Sequence, residues 1–472
     1  MALSINVNMA ALNTQRNLGK SESLLNTSME RLSTGLRINS AKDDVAGVAI
    51  ADRMGAQIRG MNQASRNAND AISLAQTAEG ALQESTSILQ RMRELAVQSV
   101  NDTNTDGDRA KIQKEITSLT SELDRIATTT QFNGKALFDG NFGVATYQVG
   151  ANANETINAS INNFRTQQYG NYQITGTAAA ATATSRSTTG NIVVNGAITS
   201  GTYSATAADT AKTIAEGVNK LGTGVTASAR TEIDVAFAAV GSYSLTVKSD
   251  NTTAKTIAVN LSAVATSDGL AAAAKAFNDA SGETGVTAKV NTLGTKITLV
   301  NATGNDITLG IGAGATNSGT LTVGADTVAV SGTDVSVVNG QVTLDADKGF
   351  NAADSGSGYG LTAASSTLQK VSTLSVSNAT NATSALKIID SALSSVSDQR
   401  ANFGALQNRM TSVINNLANV SENLSSAQSR IQDADFAKET GAMSRGQILQ
   451  QAGLAMLSQA NQSQQGVLSL LR

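Results

Sequence analysis

The 472-residue chain has no cysteine, histidine, proline or tryptophan. Without cysteine there is no disulfide framework, no thiolate nucleophile and no soft metal site. Without histidine the commonest general base is missing, and with it every Ser-His-Asp triad and nearly all zinc chemistry. Carboxylate or lysine catalysis stays open in principle. An average chain of this length would carry roughly twenty prolines or more. Long unbroken helices exclude interior proline, and a chain that must fold quickly after delivery avoids slow X-Pro isomerisation; compositional drift is the plain alternative. Charged residues are 15% and aromatics 3%, against about a quarter charged in ordinary domains. The net charge of −3 gives none of the basic excess of a nucleic-acid binder. No apolar run reaches the roughly 18 residues needed to span a bilayer. The opening "MALSINVNMAALNTQRNL" lacks a basic segment followed by a continuous apolar core, so it does not read as a cleaved secretory signal. Alone, this points to the cytoplasm.

What is present falls into helical ends and a non-helical middle. Phe403, Leu406, Met410, Val413, Leu417, Val420, Leu424, Ala427 and Ile431 alternate in steps of 3 and 4. That period predicts a coiled-coil-like helix, about 43 Å long over 403–431 at 1.5 Å per residue. Near the other end Leu18, Leu25 and Leu32 are seven apart, with Met29 and Leu36 on the neighbouring row and Gly35 placed to stop the helix. Ser40 reads as the cap of a fresh helix, with Asp43 and Asp44 in its first turn. From there Ala51, Met54, Ile58, Met61, Ser65, Ala68, Ile72 and Ala75 keep the step, and Leu82, Leu89 and Ala96 continue at sevens. A third helix follows "NDTNTDGD" through Ile112, Ile116, Leu119, Leu123 and Ile126.

After Ala127 the signal changes. Asn133-Gly134 and Asp139-Gly140 are hairpin-turn dipeptides. Residues 177–374 hold short strand-like runs, "NIVV", "SYSLTVK", "KITLV", "TLTV" and "QVTL", between Gly, Asn and Asp. They read as a β-rich insertion of one or two domains. "TGVTA" occurs at 223–227 and again at 284–288, each time after an Ala-rich stretch, 209–221 and 270–280. This admits either a duplicated β/α unit or chance recurrence. The fold class is therefore α+β: a long coiled-coil-like helical core from both termini, a β-hairpin zone, and a β-rich central insertion.

Few motifs carry chemistry. "DTNTDGDRAKIQ" places Asp102, Asn104, Asp106 and Gly107 as in a calcium loop, but Gln113 stands where a bidentate glutamate belongs. A polar turn capped by Thr105 or Asp106 is the simpler reading. "GIGAGA" (310–315) matches a dinucleotide fingerprint but runs into a strand pattern rather than a helix. Arg91 and Glu94 in "QRMREL" suit a solvated helical face or pairing with neighbouring chains. No cofactor, metal or catalytic constellation is indicated.

Several segments resemble bacterial flagellin: "NTQRNL" (13–18), "RLSTGLRINSAKDDVAGVAIADRM" (31–54), "NANDAISLAQTAEGAL" (67–82), "LQRMRELAVQS" (89–99), "QFNGKALFDG" (131–140) and "GQILQQAGLAMLSQANQSQQGVLSLLR" (446–472). The resemblance covers roughly 1–176 and 375–472. It implies three layers: a terminal coiled coil from 1–45 and 430–472, a helical bundle with the hairpin zone from 46–176 and 375–429, and a projecting insertion, 177–374. It implies a non-enzymatic subunit that polymerises helically into the flagellar filament for swimming. Export would use the flagellar type III apparatus without a cleaved signal, which reconciles the missing signal peptide with an extracellular, secreted polymer.

The implied partners are further copies of the chain, an export chaperone at the C-terminal helix, and hook-filament junction and cap proteins. A host Toll-like receptor and inflammasome sensors are also implied, but no nucleic acid and no membrane. Gln90, Arg91, Leu95 and Glu115 match the positions implied for subunit packing and receptor contact. Leu18, Leu25, Leu32, Leu449, Met456, Val467, Leu470 and Leu471 would make the terminal coiled-coil assembly, the C-terminal stripe also taking in Ala452 and Ala460. The alternatives are a hook-filament junction protein of the same family or a surface adhesin.

Overall fold

A computed structural model of the chain describes residues 7–182, 184–291, 293–312, 317–329, 334–361 and 365–470, with side chains only to 463 in the last stretch. The eight α-helices among these residues are α1 (Met9–Thr34), α2 (Val45–Val100), α3 (Asp106–Thr129), α4 (Ala211–Asn219), α5 (Ser267–Asp279), the single turn α6 (Ser281–Thr284), α7 (Ala379–Gln432) and α8 (Phe436–Leu470). The strands are β1 (Gln131–Phe132), β2 (Lys135–Ala136), β3 (Val144–Gln148), β4 (Thr156–Ser160), β5 (Gly170–Thr175), β6 (Ala180–Thr182), β7 (Gly190–Asn195), β8 (Ser200–Ala205), β9 (Thr226–Phe237) and β10 (Gly241–Lys248). They continue as β11 (Lys255–Leu261), β12 (Val286–Val290), β13 (Ile297–Asn301), β14 (Ile307–Ile311), β15 (Leu321–Val323), β16 (Asp326–Val328), β17 (Val335–Asn339), β18 (Gln341–Ala346), β19 (Asn351–Asp354) and β20 (Thr367–Lys370). Helical ends and a β-rich centre are as the periodicity predicts.

Short polar side chains start the helices, because each leaves four backbone N–H groups unpaired at its N-terminus. Asn8 Oδ1 accepts from Ala11 N, 3.0 Å away, to begin α1, and Gly35 at φ 74° ends it. Thr105 and Asp108 form a reciprocal capping box on α3. Asn378 caps α7 and Asp435 caps α8. At α2 the expected start moves. Ser40 heads a turn whose amides are held by the Asp43 carboxylate, while Asp44 Oδ1 caps the helix by accepting from Gly47 N at 2.9 Å. The Asp43 carboxyl is held low by hydrogen bonds from the Ser40 and Asn39 amides.

The chain divides into two compact units. The first comprises Met1–Thr77, Val144–Ser160 and Asn402–Arg472. It holds the α1/α8 pair, the start of α2, the end of α7 and the β3–β4 hairpin. Met61 and Ala64 of α2 pack on Leu417 of α7, with Val413 and Leu424 alongside. Val420 was expected on that seam but is 39% exposed. A straight helix drifts about 20° per heptad against a 3.5-residue repeat, so past Leu417 the inward row moves off it.

The second unit comprises Ala78–Gly143 and Ile161–Ala401. Its helical part buries Leu82, Leu89 and Met92 of α2, Ile116 and Leu123 of α3, and Ile389 and Val396 of α7. The β1–β2 hairpin turns through Asn133 (φ 49°) and Gly134 (φ 76°), the paired positive φ of a type I′ turn. Asp139-Gly140 does not make a hairpin. Asp139 instead accepts from Asn141 N in an Asx turn.

The insertion has two hydrophobic clusters. Ile192, Val194, Ile214, Val218, Val342 and Leu344 anchor one; Leu245, Val247, Phe277, Leu299 and Leu309 belong to the other. Three sheets serve them: β19-β7-β8, β11-β10-β14-β17-β6, and a larger one in the order β12-β13-β9-β18-β5-β20 with β15 and β16 attached. The 12-residue β9 pairs with β18 through Thr226–Arg230 and with β13 through Thr231–Val235, so one strand runs from cluster to cluster. The repeated pentamer is a duplicated unit. Each copy is an antiparallel hairpin, a helix and a strand: β7-β8-α4-β9 and β10-β11-α5-β12. In each, an asparagine at the helix end clamps the second alanine-bearing strand through both backbone groups. Asn219 does so with Ala227 at 2.7 and 2.9 Å, and Asn278 with Ala288 at 2.7 and 2.8 Å. The sheet is tied to α7 by Lys387 Nζ, 2.7 Å from Asp345, whose other oxygen accepts from Asn171 and Gln173.

Two measurements check this. Asn219→Ala and Asn278→Ala should each cost about 1–3 kcal/mol, the range for orphaned buried partners, in urea unfolding of the insertion; a change of a few tenths at both would refute the clamps. Asp306 accepts from Ser185 Oγ and Gly340 N, and burial pushes its carboxyl up. A carboxyl with a folded pKa above its unfolded one loses the folded state stability as pH rises through the carboxylate range. As pH rises through and above the ordinary carboxylate range, Asp306→Asn should therefore gain stability relative to the parent; a constant difference would contradict it.

Candidate assembly surfaces

The α1/α8 pair is antiparallel and close. On α1, Leu18, Ser21, Leu25, Ser28 and Leu32 turn inward, a 3/4 alternation of leucine and small polar residues. On α8 the inward row is Glu439, Met443, Gly446, Gln450, Gly453, Leu457 and Ala460. The leucines meet glycines. A Cβ added to Gly446 would lie 3.5 Å from Leu25, and one on Gly453 would lie 3.2 Å from Leu18. With no side chain at those positions the backbone of α8 can approach the leucines directly. The pair is pinned at both ends. Arg31 Nη1 reaches Glu439 Oε1 at 3.1 Å on a carboxylate 11% exposed, and Asn8 Nδ2 donates to the Ala460 carbonyl at 3.1 Å. Beyond Arg31, Arg37 N donates to Gln432 O and Ala434 N to Gly35 O.

Leu18 and Leu25 face the glycines of α8, with Leu32 further along the same row. Leu449 and Met456 do not pack on α1: they are 47% and 62% exposed, on other faces of α8 with Ile448 and Leu454. A spacing of seven marks a row along a helix, but which row meets the partner is set by how closely the backbones approach. Here the glycine row wins. Its signal was legible, since Gly446, Gly453 and Ala460 are also seven apart. Leu471 lies outside the described residues, as do the side chains of Val467 and Leu470. On α1, Leu12, Leu24 and Met29 are likewise exposed. The pair therefore has a seam in which leucines of α1 meet glycines of α8 between small and polar residues, and an outside that also carries large apolar side chains.

A second surface lies on the helical part of the other unit. Arg91 bridges Glu94 and Glu115, both at 3.0 Å, and these hydrogen bonds raise its pKa. Arg91 and Glu94 are more than half exposed and Glu115 is 46% exposed, so water screens both pairs. Gln90 is exposed on the same face. Leu95 is not: at 3% exposure it belongs to the core beneath. Arg93 pairs with Asp390 at 2.7 Å, and Arg400 with Glu79 at 2.7 Å. The calcium-like loop is organised around an arginine. Arg109, 8% exposed, donates to the carbonyls of Ser99, Asn101 and Asn104 and faces Asp102 and Asp106 at 3.6 and 3.7 Å. Gln113 spans Leu374 O and Val376 N. Gly310 lies in β14, and residues 313–315 of "GIGAGA" lie outside the described residues.

Residues 5–143 match the bacterial flagellin N-terminal helical region, and 386–471 the bacterial flagellin C-terminal helical region. The chain is 43% identical to the B-type flagellin of Pseudomonas aeruginosa over the full length of both. The chain belongs to the bacterial flagellins. The flagellin of Salmonella typhimurium is 39% identical and flagellin A of Vibrio anguillarum 37%, again covering 100% of each chain. Among solved structures, FliC from Burkholderia pseudomallei matches at 20% identity and a TM-score of 0.32, over 72% of this chain and 99% of that one. This flagellin is a structural subunit of the flagellar filament, the polymer that drives swimming. The junction-protein and adhesin readings are not favoured, because the full-length relatives are flagellins. Among the described residues no helix is long and apolar enough to cross a membrane.

The seam gives a direct test. Gly446→Leu should push α1 off α8, so that α1 amides lose hydrogen-exchange protection, whereas Gly446→Ala, making ordinary contact with Leu25, should keep it. Unchanged protection in Gly446→Leu would show that the leucines do not need the glycine row.

Proposed function

We propose that the α1/α8 pair, about 1–45 with 430–472, is the inner layer of the filament, that 46–176 with 375–429 forms the next, and that 177–374 projects outward. The observation that carries this is the outside of the pair: Leu12, Leu24, Met29, Ile448, Leu449, Leu454 and Met456 are exposed around a seam already closed by other residues. Burying one such side chain contributes about 1.5–3 kcal/mol, so a face this apolar favours cover by neighbouring copies. Contacts between different faces of successive copies, related by a rotation that does not close into a ring, extend into a helical polymer. Leu449, Met456, Val467, Leu470 and Leu471 serve in those contacts. An export chaperone covers the C-terminal helix before assembly. The chain is secreted, works outside the cell without catalysis, and ends against junction and cap proteins.

Gln90, Arg91 and Glu115 form a face for subunit packing that a host Toll-like receptor also recognises. Leu95, buried below, holds that helix in place rather than touching a partner. The closing "VLSLLR" is the segment taken by inflammasome sensors.

Seeding purified monomer and imaging it by electron microscopy should give long helical filaments, and removal of 446–472 should abolish them while 46–429 stays folded. Normal polymerisation of the truncated chain would sink the inner-layer role. In a receptor reporter assay, Arg91→Ala monomer should lose potency; full potency would remove Arg91 from the contact.

A further inference from the structure

Three asparagines precede glycine: Asn133, Asn195 and Asn339. Such a pair can modify itself. The glycine nitrogen attacks the asparagine Cγ, an N–Cγ bond forms, the Cγ–Nδ2 bond breaks, and the departing nitrogen leaves as ammonia with the amide proton. Water then opens the five-membered imide to aspartate or, with the main chain rerouted through Cγ, to isoaspartate. Water is the sole co-reactant.

The fold separates the three. Asn339 is fully buried. Its Oδ1 accepts from Arg186 N at 2.7 Å, its Nδ2 lies 3.0 Å from Thr182 Oγ1, and Gly340 N donates to Asp306. Asn195 is exposed, but its carboxamide donates to Asn351 at 2.8 Å and Gly196 N is engaged by the Thr199 carbonyl. Asn133 and Gly134 are both exposed, at the tip of β1–β2. Among the described residues no hydrogen bond engages the Asn133 carboxamide or the Gly134 amide. The hairpin has two residues per strand, so it opens at small cost. Opening frees the side-chain and backbone torsions of Asn133 that bring Cγ to the glycine nitrogen.

We propose that Asn133 is a self-modification site of the folded chain, converting to aspartate and isoaspartate ahead of the other two. Conversion sets a carboxylate beside Lys135. The isoaspartyl form also lengthens the main chain by one carbon, within a two-residue turn whose geometry fixes the pairing of Phe132 with Lys135.

The test is to age the full-length folded chain in ¹⁸O-water at neutral pH and map labelled peptides by mass spectrometry, with isoaspartyl methyltransferase labelling alongside. Label should appear first in the peptide holding Asn133, later at Asn195, and at Asn339 only once urea has unfolded the chain. In urea the differences among the three should disappear. Asn133→Gln should lose the early label and keep that at Asn195. Earlier label at Asn195 or Asn339 in the folded chain would overturn the proposal, as would an unlabelled Asn133 or the same ranking in urea.

Discussion

Much of the terminal architecture depends on a close approach of two backbones. Helices held apart by side chains on both faces pack about 8–10 Å apart. Where Leu18 and Leu25 meet Gly453 and Gly446, one side contributes nothing but backbone. The seam can then be closed by few atoms, with serines filling the alternate positions. The consequence lies on the outside. Large apolar side chains not needed in the seam are left facing away from it, so the pair is sealed within and apolar without. That inversion suits a subunit whose partners are copies of itself.

The insertion meets a different constraint. It sets a few buried rings, Tyr243 and Phe277 in one cluster and Phe350 and Tyr359 in the other, among many Val, Ile, Leu and Ala side chains. Repetition is the economical route: one hairpin-helix-strand unit, used twice, with the same asparagine clamp at each helix end. The clamp gives the backbone of Ala227 and of Ala288, each paired with one neighbouring strand, both a donor and an acceptor. Because β9 gives Ala227 to one cluster and Val235 and Phe237 to the other, a single strand joins the two.

Two polar groups hold parts of this structure together. Arg109 fills from within a loop that resembles a cation site, and the carbonyls and carboxylates that would greet a metal instead greet its guanidinium. Lys387 and Asp345 do similar work between sheet and helix.

The sequence by itself determined the kind of each element. Period-3.5 apolar spacing, strand-like runs bounded by glycine and asparagine, Gly35 as a stop, Asn133-Gly134 as a turn and the missing histidine and cysteine all act locally, within a few residues of the chain. Family membership was legible for the same reason, since its motifs are contiguous. Which face of each element is used was decided by tertiary structure. Leu449 and Met456 have the right spacing but not the right neighbours, Val420 drifts off its seam, Leu95 sinks below the surface its neighbours occupy, and the EF-hand-like loop closes on an arginine seven residues past its first aspartate. In each case the deciding term is the distance to a backbone or side chain far away in sequence, which spacing along one helix does not encode.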